Sequence, residues 1–108
     1  MEYVTYEDFK KMDIRVGTIK QVEPIEGTDK LLKCQVDTGD AELRQIISGI
    51  REYYPEFEQL VGKQVLYIVN LEPREIRGFT SHGMLMAVGE TPVFLVPETP
   101  VAAGSKVR

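Results

Sequence analysis

Catalysis requires a nucleophile, a base within reach and usually a third group to orient the base. The chain offers few candidates: one histidine, His82, and one cysteine, Cys34. Ser81 directly precedes His82. Adjacent side chains on a strand point to opposite faces, so these two do not readily form a nucleophile and base pair. Cys34 with His82 remains geometrically possible. Cys34 alternates with Leu32 and Val36, however, and reads more simply as a small core residue. No zinc-ligand set, phosphate-binding glycine loop or dinucleotide fingerprint is present, so no metal, cofactor or catalytic residue is expected. Glu23, Glu26, Asp29, Glu56 and Glu58 fall in loop or helix-edge contexts and read as solvated surface.

The densest run of unusual residues extends from Leu71 to Ala87, through Arg74, Arg77, Gly78, Phe79, Thr80, Ser81, His82, Gly83 and Met84. Basic, hydroxyl and glycine residues between two strands can form a ligand-contacting loop or a long solvated connection, and spacing alone leaves both open. Charge limits the first reading. Thirteen Lys plus Arg against seventeen Asp plus Glu give a net charge of −4. A protein that tracks a long phosphate path is normally basic, so any nucleic-acid site must be local and must use shape and stacking as well as charge.

These residues need a scaffold, and the hydrophobic pattern predicts one. Thr5 is placed to cap a short helix from Tyr6 to Met12, with Asp8 in the capping-box position and Phe9 and Met12 on one apolar edge. A strand follows from Ile14 to Val22. Ile14 and Val16 share a face and Ile19 lies on the other, so Gly17 is the expected site of a bulge or bend. Residues 23–29 read as a loop. Leu32, Cys34 and Val36 alternate with Lys33, Gln35 and Asp37 as a half-buried strand, and Leu43 to Ile47 returns as the third. Tyr53 to Leu60, with Pro55 at its start, predicts one connecting helix. Gln64–Val69, Met84–Val88 and Val93–Val96 supply further strands. Met12 is expected in a helix core and Met86 in a strand core; Met84, just after a glycine, stands apart. At least five short strands with a helix between the third and fourth describe an all-β, five-stranded barrel of the OB-fold (oligonucleotide/oligosaccharide-binding) kind, with short helices and a C-terminal extension.

A chain of 108 residues that is 43% apolar and 28% charged fits one domain, residues 1–108, with the barrel at 13–96. No run approaches the ~18 apolar residues of a membrane helix, and the N-terminus lacks the pattern of a signal peptide. A cytoplasmic location and no membrane partner are expected. A single cysteine is consistent with a reducing compartment.

Asp13-Ile14-Arg15-Val16-Gly17-Thr18-Ile19, Asp29-Lys30-Leu31-Leu32, Arg44-Gln45-Ile46-Ile47-Ser48-Gly49-Ile50 and the Leu71–Ala87 segment occur here in one order. Together they resemble the tRNA-binding domain family, which includes free-standing dimeric tRNA-binding proteins and the C-terminal domain or β subunit of methionyl-tRNA synthetases. The resemblance implies an OB fold that recognises the bent shape of tRNA, takes no part in aminoacylation and assists a synthetase whose catalytic part is a possible partner. It implies a tRNA-binding set of Lys30, Lys33, Arg44, Arg74, Arg77, Ser81, His82 and Met84. In that set Lys30 meets phosphate, Ser81 and Met84 contact the nucleotide, and Arg44 and Arg77 give electrostatic support. It further implies a homodimer formed through residues 1–12 and 97–108. Where the family commonly has His-Pro before Asp-Lys, this chain has Ile25-Glu26-Gly27-Thr28, and Glu72 and Glu75 stand in often-basic places, so phosphate attraction is expected to be weaker. A dimeric chaperone of unfolded polypeptides is the alternative. An oligosaccharide-binding domain ranks last, since only Tyr67 and Phe79 are available to stack and there is no Trp.

Overall fold

The alternating run Leu32, Cys34, Val36 sits wholly inside the molecule, and its alternate partners Lys33, Gln35 and Asp37 face outward, so one strand defines both faces of the sheet. In the computed structural model, which describes all 108 residues, that strand is β2 (Leu32–Asp37). It lies between β1 (Ile14–Pro24) and β3 (Arg44–Ser48), all antiparallel. β4 (Gln64–Ile68) pairs with the first half of β1. The Leu71–Ala87 segment is not an unstructured connection: it contains a hairpin of β5 (Arg74–Ile76) and β6 (Phe79–Ser81). β7 (Met84–Leu85) then returns to β4, and β8 (Ala87–Val88) pairs with β9 (Val93–Phe94). The main sheet runs β3-β2-β1-β4-β7, and the His82 N–H donates to the Gln45 carbonyl at 2.9 Å where its two ends meet. This is a nearly closed five-stranded barrel of the OB type.

The barrel interior is built from Ile19, Val22, Leu32, Cys34, Val36, Ile46, Leu60, Val65, Tyr67 and Leu85, all buried. Gly17 is needed here for space. A Cβ at that position would lie 2.5 Å from Val36 Cγ1 and 3.2 Å from the Tyr67 ring. The irregularity expected at Gly17 falls instead between Ile19 and Gln21, where the β1–β2 register shifts; Ile19 and Val22 both face inward across it. Gly17 itself pairs regularly with Val65.

Several boundaries differ from the sequence expectation for physical reasons. Helix α1 covers Tyr6–Lys10, capped by the Thr5 hydroxyl, and buries no residue. Phe9 and Met12 are therefore exposed rather than core, at 40% and 39%. Asn70 ends the helix by donating to the Lys11 carbonyl and accepting from the Asp13 N–H. The connecting helix is two 3-10 turns, Arg51–Tyr53 and Phe57–Leu60. Tyr54 precedes Pro55, and that position disfavours helical backbone. Met86 is half-buried and lies where the chain leaves β4 to join β9, which divides the expected Met84–Val88 strand. Residues 104–107 run beside β1. Val16 N–H donates to Ser105, Gly104 N–H to Val16 and Val107 N–H to Ile14, covering an edge of β1 left open beyond the end of β2 at Asp37.

Candidate nucleic-acid interface

The β5–β6 hairpin is the element on which the site depends. Ile76 faces Phe79 across a two-residue turn, Arg77-Gly78, whose φ angles are 53° and 84°. Such turns favour Asn-Gly or Gly-Gly, because both residues must be left-handed. Arg77 is the only non-glycine residue of the chain with positive φ. Its side chain is exposed at the hairpin tip.

β3 holds the hairpin in place. Gln45 accepts the His82 N–H on its carbonyl and donates its side-chain amide to the Thr80 carbonyl at 2.9 Å. The Ser81 hydroxyl accepts from the Ile47 N–H at 2.9 Å and donates to the Gly83 carbonyl. Gly83 is required beyond it. A Cβ there would lie 2.6 Å from the Ile68 carbonyl oxygen. Thr80 also donates its hydroxyl to Glu75 across the hairpin, so Glu75 is engaged with its own strand partner.

The site residues separate into three places. Lys30 and Arg77 come together, lining one open cleft of about 330 Å³ between the β1–β2 loop and the hairpin tip. The Lys30 side chain is 76% exposed, and its one ion pair, to Glu52, is at 4.0 Å. Lys33 is nearby on the same outer face, its ammonium 4.4 Å from the centre of the Phe79 ring and 3.4 Å from Glu23. A cation held over an aromatic face is already oriented before any ligand arrives.

Arg74 and Met84 line a second, small cavity of about 90 Å³ with Leu71, Ile76 and Ser81. Met84 is 48% exposed and Ser81 only 4%, so within the Ser-His-Gly-Met stretch the thioether is presented to solvent while the hydroxyl is engaged with the scaffold. Arg44 and His82 line a third, wider cleft of about 770 Å³ whose rim includes Asp40 and Glu42. The Arg44 guanidinium donates to the carbonyls of His82 at 2.9 Å and Val69 at 3.4 Å, which closes the barrel end and orients the backbone there.

Gln45 and Arg51 are parts of the site that the sequence reading did not single out, and Phe79, named there only as a residue that could stack on a sugar, proves to be the aromatic face under Lys33. Gln45 directly precedes the buried pair Ile46 and Ile47 on β3, so local alternation did not fix its direction. Arg51 donates to the Thr28 carbonyl at 2.7 Å across 23 residues, a contact with no local signature. The Cys34–His82 pair is not set up for nucleophilic chemistry. Cys34 is buried, and burial raises its thiol to about 12, which leaves it neutral and unreactive.

Comparison with known proteins identifies the family of the chain. Residues 14–106 match the family described as "Putative tRNA binding domain". The chain is 44% identical over 110 residues to methionine–tRNA ligase of Pyrococcus horikoshii, covering 100% of this chain and 15% of that protein. It is 43% identical over 101 residues to methionine–tRNA ligase of Lactiplantibacillus plantarum, covering 91% of this chain and 15% of that one. The chain thus spans about 15% of the length of these curated relatives. Among solved structures, a MetRS related protein from Pyrococcus horikoshii superposes with a TM-score of 0.88 at 34% identity, covering 100% of both chains. The chaperone CsaA of Bacillus anthracis superposes with a TM-score of 0.87 at 25% identity, covering 99% of this chain and 100% of the other.

Proposed function

This chain belongs to the tRNA-binding domain family, and we propose that it binds tRNA without catalysis, as an accessory to methionyl-tRNA synthetase. The observation that carries the reading is the juxtaposition of Lys30 and Arg77 in one cleft, with Lys33 fixed beside them over Phe79, on a chain that is otherwise acidic. Three cations on one face can grip a short stretch of backbone, and a partly exposed aromatic and a thioether add sequence-tolerant apolar contact. Such a small footprint gives modest affinity alone. Joined to a synthetase or to a second copy, it raises affinity through effective concentration.

The second copy is part of the proposal. Tyr3, Val4, Tyr6, Phe9 and Met12 are exposed at the N-terminus, beyond what an isolated short helix needs, and residues 104–107 run along the same molecule's β1. We propose that residues 1–12 and 97–108 form a homodimer interface, which light scattering at micromolar protein tests directly.

The likeness to a chaperone supports a second reading, capture of unfolded polypeptide by the same apolar N-terminal surface. A gel shift with bulk tRNA, a plain RNA duplex and an unfolded polypeptide separates the two. Retardation of tRNA ahead of both competitors is expected. Preference for the polypeptide overturns the tRNA reading.

A further inference from the structure

We propose that the cleft between the β1–β2 loop and the β5–β6 hairpin holds one nucleotide of the RNA backbone and distinguishes RNA from DNA there. Lys30 and Arg77 bracket the phosphate, and the Asp29 carboxylate accepts a hydrogen bond from the ribose 2′-hydroxyl. The inference rests on the tRNA-binding reading and adds to it a chemical test that tRNA shape does not supply.

Three observations converge on this cleft. At about 330 Å³, it falls within the ~300–1,000 Å³ of ordinary ligand sites. Its walls are fixed in advance. Arg51, just past the end of the neighbouring strand β3, ties the loop by donating to the Thr28 carbonyl at 2.7 Å, its own backbone N–H donates to the Lys30 carbonyl at 3.0 Å, and the Thr28 hydroxyl closes the turn onto the Ile25 carbonyl at 2.9 Å. Gln45 and Ser81 fix the opposing hairpin to β3. Lastly, Arg77 occupies the left-handed turn position that glycine or asparagine would fill at lower cost. The turn itself gains nothing from an arginine, so what this residue adds is a cation at the hairpin tip.

Charge decides the ligand. Neither Arg77 nor Asp29 forms a salt bridge, and Lys30 has one long ion pair to Glu52 at 4.0 Å, so the cleft presents one free cation, one weakly paired cation and one free carboxylate. A site for phosphate alone gains nothing from the carboxylate, which repels it. A ribonucleotide offers both partners: a phosphate for the cations and, beside it, a neutral hydroxyl donor for the acceptor-only carboxylate. DNA lacks that donor and leaves Asp29 facing the backbone unpaired.

The experiment uses the full chain with a tRNA transcript and the same sequence made as DNA, titrated at several salt concentrations. The parent's binding of the tRNA transcript is read first; its absence overturns the proposed function and this inference with it. With binding present, Asp29→Ala is expected to lower the RNA-over-DNA preference about tenfold, by weakening the RNA complex and relieving the repulsion in the DNA complex. Arg77→Gly suits the turn, keeps the melting midpoint, weakens RNA and DNA alike and removes about one unit from the log–log salt slope. Arg77→Lys keeps that slope. An unchanged preference in Asp29→Ala, or parental binding by Arg77→Gly, overturns the inference while leaving tRNA binding by the domain intact.

Discussion

The Ile47 backbone N–H donates to the Ser81 hydroxyl at 2.9 Å, so a serine in the motif carried by the tRNA-binding resemblance ties the hairpin to β3. Ser81→Ala leaves a buried N–H without a partner, a loss of roughly 1–3 kcal/mol. Its melting midpoint should fall by about 4–8 °C for each kcal/mol, with tRNA binding weakened as the hairpin loosens. The salt slope should stay at the parental value, because no cation is removed. A variant that melts like the parent yet binds poorly would place the hydroxyl on the ligand instead.

Met84 behaves in the opposite way. Its exposure at the rim of the cavity shared with Arg74 means that Met84→Ala removes little buried surface. Thermal melts should barely move, while tRNA affinity falls by about 1 kcal/mol if the thioether packs on a base or ribose. A drop in stability of ~2–5 kcal/mol, as for a core methionine, would contradict this placement.

Gly17→Ala tests the barrel directly. The added methyl would meet Val36 Cγ1 at 2.5 Å, on a strand packed from both sides, and overpacking of this kind costs typically 1–3 kcal/mol. Denaturant melts should show it. Stability equal to the parent would mean that β1 and β2 separate more easily than their packing indicates.

Cys34 gives the chain a pH dependence in the alkaline range. Burial holds the folded thiol near 12 against an ordinary value of 9.0, so above pH 9 the unfolded chain loses this proton and the folded chain keeps it. The stabilising effect is complete below pH 9 and is lost as the pH rises towards 12, because the unfolded state then binds fewer protons. Cys34→Ala should be less stable at neutral pH and should lose this part of the alkaline decline. Equal alkaline slopes in both proteins would show that the thiol is accessible.

Much of the barrel was legible in the sequence because β2 and β4 carry uninterrupted alternating or β-rich runs whose burial follows from local pattern. The hairpin inside residues 71–87 was not. Its strands have three residues each, and its turn carries Arg77 where a hairpin signal would have been Asn-Gly or Gly-Gly. The site divides along the same line. Lys30 and Arg77 were named from motif order, but their sharing of one cleft depends on β6 crossing onto β3 through Gln45, a contact 35 residues apart in sequence. The helix and methionine expectations failed where tertiary context decided them. Met12 lies past a helix end set by Asn70, and Met86 lies where the chain changes strand partner.

Equilibrium binding of the unmodified chain to tRNA across a range of salt tests the central claim most directly. A local site with about three or four cationic contacts predicts measurable binding at low salt and a log–log slope of roughly −2 to −4. No binding at low salt, or a slope near −8 that demands a long phosphate track, would contradict it.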